Sequence, residues 1–219
     1  MVASQLSPLQ EEVLRFFFQR ENRFFLTGGA ALAGFHLKHR RTADLDFFTT
    51  PDLGVADILD AGESALRAVA AHIGATIENV QTEPDIRRRL VKRGADRVMV
   101  DLAVDRAVQG YPEKLAFGDV RVDPPEEILA NKVCTLLSRS EVRDYVDVYA
   151  LERAGLRVEN ALMLAARKDA SVTPANLAWV LSQVQIGDDA RIPGGVTPEE
   201  LRRFLADLIA RLTRLAFPE

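Results

Sequence analysis

The sequence predicts an α+β protein: an N-terminal mixed β-sheet core flanked by helices over residues 1–123, followed by a C-terminal helical lobe over residues 124–219. Three observations predict it. The stretch LTGGAALAGFHLKHRRTADLDFF, Leu26 to Phe48, reads as strand end, glycine turn, helix, basic loop and strand. The runs IRRRLVKR and RVMVDLAV, joined by Gly94-Ala95-Asp96, read as a hairpin. Beyond Pro124-Pro125 only helical apolar stripes follow.

Composition sets the bounds. With 219 residues, 47% hydrophobic and 27% charged, the chain has a globular balance and length for one large domain or two small ones. It has no run of about 18 apolar residues, so no membrane-spanning helix is expected. The opening MVASQLSPLQEEVLRFFF places acids ahead of its apolar residues and has no basic start, unlike a secretory signal. A cytoplasmic location is the expectation. The single cysteine, Cys134, excludes an internal disulfide and a Cys-rich zinc site, and its apolar helical setting reads as a buried small hydrophobe. A net charge of −4 gives no global pull towards nucleic acid, so any RNA contact has to come from a local basic patch.

Pro8 to Arg20 predicts the first helix, with Leu9, Val13, Phe16, Phe17 and the Arg20 stem on the face that packs on the sheet. Phe24-Phe25-Leu26 is the short apolar run of a buried strand. Gly28-Gly29 follows, then a helix over residues 30–37. Glycine lets backbone N–H groups approach an anion, and a helix N-terminus adds partial positive charge. The segment is therefore a tight turn or a phosphate cradle, with Thr27 as helix cap or phosphate contact. In the next strand Asp44 and Asp46 share a face while Leu45 and Phe47 point into a core. Adjacent carboxylates repel unless a cation or a raised pKa intervenes. They are either solvated acids on an edge strand or ligands for Mg²⁺, which takes one or two carboxylates plus substrate phosphates.

Thr50-Pro51-Asp52 and Gly54 mark a loop. Residues 56–73 predict a helix with Ile58, Leu59, Leu66, Val69, Ala70 and Ile73 on its apolar side, weakened in the middle by Gly62. A strand over 75–80 precedes the hairpin. There Val98, Val100, Leu102 and Val104 face one way and Met99, Asp101 and Ala103 the other. Asp101 thus stands among apolar neighbours on a central strand, where an unpaired acid is rare. It either lies solvated on an open face or joins Asp44 and Asp46 in a three-carboxylate site. Arg87, Arg88, Arg89, Lys92, Arg93 and Arg97 form the strongest basic feature, a solubilising edge strand or a phosphate-backbone contact. Residues 111–117 read as a loop and 119–122 as the last strand.

Pro125-Glu126-Glu127 starts a helix running to about Ser138, with Lys132 inside the apolar row of Ile128 and Leu136. That lysine either snorkels to solvent or is a fixed cation aimed at a triphosphate. RDYVDVYAL predicts a second helix with Asp144 and Asp147 on one side, and Arg143 pairing with acids from the solvent side. Helices follow over 159–168, 174–184 and 198–215, with turns at Gly187 and Pro193-Gly194-Gly195, and Trp179 reads as core rather than ligand platform.

Gly28-Gly29-Ala30-Ala31-Leu32, followed by His39-Arg40-Arg41-Thr42-Ala43-Asp44-Leu45-Asp46-Phe47-Phe48, resembles the AbiEii/AbiGii-type toxin family of minimal nucleotidyltransferases. Order and spacing agree together, which is more specific than either half. VMVDLAV around Asp101 matches the family's apolar-Asp-apolar strand, and PEEILANK with RDYVDVY resembles its second block. The resemblance spans Leu26 to Glu152. It implies Mg²⁺, or Mn²⁺, held by Asp44, Asp46 and Asp101, with Asp101 alternatively the base on the acceptor hydroxyl. It implies an NTP bound by Thr27, Gly28, Gly29, Arg40 or His39, and Lys132, with Asp147 in the active site as a base or as the orienter of Lys132. The implied activity is transfer of a nucleoside monophosphate from the NTP to an acceptor hydroxyl. Some relatives add nucleotides to the tRNA 3′ end, which implies an RNA acceptor and an antitoxin protein as partners. Adenylylation of a protein or small molecule, and a catalytically silent nucleotide-binding module, are the alternatives.

Overall fold

The computed structural model describes residues 5–51, 55–139 and 141–218. The loop expected at Asp52 and Gly54 lies outside the described residues. The chain divides into two compact units, one of residues 1–107 and 111–124 and one of 108–110 and 125–219.

In the first unit, α1 (Pro8–Phe18) is started by a capping box: Ser7 Oγ accepts from the Gln10 amide at 3.2 Å, and the Gln10 side chain accepts from the Ser7 amide at 2.8 Å. It ends two residues short of the expected Arg20, whose guanidinium donates back to the Phe16 carbonyl. Among the described residues seven strands follow: β1 (Phe25–Thr27), β2 (Asp44–Thr49), β3 (Thr76–Glu83), β4 (Ile86–Arg93), β5 (Asp96–Val104), β6 (Leu115–Phe117) and β7 (Val120–Val122). They form one mixed sheet in the order β3-β4-β5-β2-β1-β7-β6, with β2–β5 and β1–β7 parallel and the other neighbours antiparallel. β6 lies where the sequence predicts only a loop. Leu45 and Phe47 are fully buried beside Val100 and Leu102, and the Phe17 ring stacks on Phe47 at 4.5 Å, which fixes α1 on that face.

Between β1 and β2 the chain makes one α-helical turn, α2 (Gly28–Ala31), which widens into π-helix over Leu32–His36. The helix thus starts two residues earlier than its composition indicates. α3 (Val55–His72) covers the sheet, burying Ile58, Leu59, Leu66, Val69 and Ala70. Gly62, a weak point by helix propensity, is where Phe24 approaches: a Cβ there would lie 2.7 and 2.9 Å from two ring carbons.

The second unit consists of α4 (Pro125–Ser138), α5 (Val142–Arg153), α6 (Val158–Lys168), α7 (Pro174–Ser182) and α8 (Pro198–Ala216). Thr173 and Thr197 cap α7 and α8, each accepting from an amide three residues on, and proline follows each cap. Arg211 on α8 is buried and bonds Glu152 at 2.7 Å, Asp207 at 2.9 Å and Glu159. Trp179 corrects the sequence reading: its ring is 68% exposed, not core. The short apolar stripe of α7 is filled by Leu177, Ala178 and Leu181, which leaves the ring on the outer side. Cys134 is half-buried, with its thiol against the Ala165 carbonyl.

Candidate active site

Strand register assembles the site. Thr27 on β1 pairs with Asp46 on β2, Asp46 with Asp101 on β5, and Asp101 with Arg88 on β4. Laterally paired residues project from the same face of a sheet. These four side chains, distant in the chain, therefore form one row across four strands. Asp44 lies two residues along the same face of β2, while Leu45 and Phe47 turn to the core. Asp44 and Asp46 are half-buried and Asp101 is 6% exposed.

The glycine turn closes on this row. Gly28 takes a left-handed backbone, φ +65°, and a Cβ there would collide with the Asp46 carboxylate. The backbone thus meets an acid at a distance no side chain would allow. A Cβ on Gly29 would lie 2.9 Å from Arg40 Nη2, so Arg40, itself buried, leans on the same turn while its Nη1 donates to the Arg41 carbonyl at 3.0 Å. Thr27 occupies the helix-cap position but its side chain makes no capping bond. Its buried hydroxyl has no hydrogen-bond partner, so of the two readings of Thr27 the cap is not adopted.

Arg88 takes both oxygens of Asp101: Nε donates to Oδ1 at 2.7 Å and Nη2 to Oδ2 at 2.5 Å. The hydrogen bond to Asp101 comes first in raising the Arg88 pKa; burial opposes it, and the charges of Asp101, Asp44 and Asp46 add to it. Arg88 is thus a cation that feels all three acids. Among the described residues no three His, Cys, Asp or Glu side chains are gathered closely enough to hold a metal ion as they stand.

Four more cations of the basic hairpin pair with acids of the chain, while Arg97 is exposed. Arg89, 2% exposed, bonds Glu63 at 2.6 Å and the Gln81 carbonyl at 2.6 Å. Arg87 reaches Asp60 and Glu63, Lys92 reaches Glu78 at 2.5 Å, and Arg93 reaches Glu12 at 2.6 Å. β4 is not an edge either, because β3 covers it. The expected solubilising edge is therefore corrected to an interior strand whose alternate arginines grip α3 on one side and Asp101 on the other.

In the helical unit Lys132 is buried and bonds Asp144 Oδ1 at 2.7 Å and Asp147 Oδ2 at 2.6 Å. Both acids are fully buried, and Arg139 Nε donates to the second Asp144 oxygen at 3.2 Å. The snorkelling reading of Lys132 does not hold, because its ammonium ends in this inward cluster. Arg143 pairs with Glu141 at 2.6 Å, the surface pairing expected of it.

The family model for the nucleotidyl transferase AbiEii toxin of type IV toxin–antitoxin systems matches residues 15–217. The chain belongs to that family. Solved structures share the fold. JHP933 from Helicobacter pylori is 22% identical, over 94% of this chain and 90% of that one, with a TM-score of 0.57. MenT4, a nucleotidyltransferase toxin from Mycobacterium tuberculosis, is 17% identical over 95% of this chain and 85% of that one, with a TM-score of 0.58. At these identities the likeness is one of fold. A comparison with curated proteins gives no match. No helix among the described residues is long and apolar enough to cross a membrane.

Within this AbiEii-type chain, sequence reasoning misses two charged groups. Asp144 is read on one side of its helix with Asp147 but given no role, although that shared side is the one that meets Lys132. Arg88 counts into a basic patch, although alternation along RRR sets the middle arginine on the opposite face from its neighbours.

Proposed function

We propose that this AbiEii-family nucleotidyltransferase transfers a nucleoside monophosphate from an NTP to an acceptor hydroxyl, with Mg²⁺ held at Asp44 and Asp46. The observation that carries the proposal is the row Thr27, Asp46, Asp101 with Gly28 pressed against Asp46. The donor set fits the ion: two half-buried carboxylates at i and i+2 leave room for the phosphates and waters that complete a Mg²⁺ shell. When bound, the ion would neutralise charge on the phosphate oxygens. The orphaned Thr27 hydroxyl and the amides of Gly28 and Gly29 would bind the phosphates, with Arg40 beside the turn to balance their charge. Asp101 would accept the proton of the acceptor hydroxyl, or serve as a third ligand to the ion. Lys132, bonded to Asp144 and Asp147, would neutralise the leaving pyrophosphate, with Asp147 as its orienter; the ion pair supports that duty over the one of a base.

The acceptor we propose is RNA, the tRNA 3′ end, with an antitoxin as the neutralising partner; this rests on the toxin family. One observation favours a second reading, a protein or small-molecule acceptor: Arg87, Arg89 and Arg93 of the hairpin are paired with acids of the chain, which leaves Arg97 as its exposed arginine for a phosphate backbone. Purified protein incubated with each radiolabelled NTP, Mg²⁺ and total RNA tests both. The expected result is label on RNA, abolished in Asp46→Ala with an unchanged circular dichroism spectrum. Label on protein alone favours the second reading, and undiminished transfer by Asp46→Ala overturns the metal assignment.

A further inference from the structure

Three carboxylates on one face of two adjacent strands need a positive charge near them, since like charges at such spacing disfavour one another. Arg88 supplies it. On β4 its neighbours Arg87 and Arg89 turn to the other face and bind Asp60 and Glu63 of α3. Of these three arginines Arg88 is the one that projects onto the acid row, in register with Asp101, which is in register with Asp46. Its planar fork meets the Asp101 carboxylate through two bonds, at 2.7 and 2.5 Å, the geometry that binds a carboxylate most firmly. The two partners differ in freedom: the Arg88 side chain is 41% exposed and that of Asp101 only 9%. The guanidinium has solvent to swing into, while Asp101 is held in place by the strand.

We propose that Arg88 is the resident counter-cation of the acid row, holding Asp101 when no divalent ion is bound and competing with the ion for it. Arg88 is on this view a positioning residue that sets the metal affinity of the site. A site whose third carboxylate is withheld loads weakly with the ion alone. It loads well when substrate phosphates arrive, because they both complete the ion's shell and give the guanidinium a second anion to bind. The pair therefore couples metal loading to nucleotide, which limits idle occupancy of the site. The inference rests on the reading of Asp44 and Asp46 as the carboxylates that hold the ion.

The test titrates Mn²⁺ alone, followed by electron paramagnetic resonance of the free ion, into the full-length wild type, Arg88→Ala, Arg88→Ala with Asp101→Asn, and Arg88→Ala with Asp46→Asn. Removing the competing charge is expected to tighten Mn²⁺ binding by about tenfold or more. Either second substitution is expected to remove the gain. Mn²⁺ should also raise the melting temperature of Arg88→Ala more than that of the wild type, each measured against its own metal-free form, so a less stable variant still reports. A purely structural Arg88–Asp101 tie would not tighten the ion when broken. Equal or weaker Mn²⁺ binding by Arg88→Ala overturns the proposal, as does a gain that survives Asp101→Asn. The two readings fail separately. A tightened Mn²⁺ site in a chain that labels no acceptor sinks the proposed function and keeps this inference. Transfer that needs Asp46, with unchanged Mn²⁺ affinity in Arg88→Ala, does the reverse.

Discussion

Gly28 carries two constraints at once. Its φ of +65° is a region L side chains rarely adopt, and its missing Cβ leaves the space that the Asp46 carboxylate fills. Gly74 separates the two, because its φ is +67° and a Cβ there would meet nothing within 4 Å. Gly28→Ala and Gly74→Ala should each lose about 1–2 kcal/mol of stability from the left-handed backbone. Only Gly28→Ala should also displace Asp46, with nucleotide transfer falling by about tenfold or more, as expected for an electrostatic group moved off its position. Melting temperature and label transfer measured on both variants check this; equal transfer by the two would show that Gly28 serves the turn and not the site. At this scale the sequence is informative about the acids. The spacing of Asp44 and Asp46 and the apolar flanks of Asp101 are local patterns, and alternation along a strand converts them into faces. Their shared row with Thr27 and Arg88 is not legible, because register between strands is set by pairing across the sheet and leaves no mark in either strand alone.

For whole elements, periodicity serves best where one face is buried and worst where both are. The helices lie within a few residues of their expected bounds, since their apolar stripes report a single buried side. β5 is buried on both faces over Val100–Val104, and β4 lies between two strands, so Asp101 and the arginines beside it on β4 have to find partners within the chain. The sequence shows the arginines of β4 but not the acids of α3 that meet them. Trp179 fails for the opposite reason: a large aromatic in an apolar run reads as core, and only packing decides which residues of a short helix face inward. Gly62 is a related case, and it yields a prediction. By helix propensity Gly62→Ala should stabilise α3 by about 1 kcal/mol. The Phe24 ring carbons at 2.7 and 2.9 Å from the added Cβ make it an overpacking change in a buried position, which costs about 1–3 kcal/mol. The ring is wedged edge-on against Phe17 and cannot swing away as a flexible side chain would. The net expectation is a loss of about 1 kcal/mol in urea unfolding; a gain would show that the helix moves freely away from β1.

At the scale of the molecule, ion pairs decide how the fold answers to acid. Glu63 is the hub of the sheet unit: from α3 it bonds Arg89 at 2.6 Å and Arg67 at 2.5 Å and lies 3.8 Å from Arg87. Burial pushes its carboxyl pKa up, but the bonds and charges of Arg89 and Arg67 outweigh that and leave it below its ordinary value of 4.5. Glu21 behaves alike: burial raises it, and the Arg23 guanidinium and amide outweigh that and lower it. A carboxyl whose folded pKa lies below its unfolded one binds its proton more readily in the unfolded chain. Its contribution to stability is then complete above the unfolded pKa and drains away as pH falls through the folded one. The wild type should accordingly stand well above Glu63→Gln in urea midpoint at about pH 7, and the gap should begin to close below about pH 4.5 and vanish at lower pH. Raising the pH above neutrality should change nothing, since the carboxyl is then ionised in both the folded and the unfolded chain. A gap that stays constant down to strongly acid solution would mean that Glu63 acts through its shape and hydrogen bonds and not its charge. Arg87 and Arg89 of β4 would then hold α3 to the sheet as neutral donors could, and charge on β4 would be required by Asp101 alone, through Arg88.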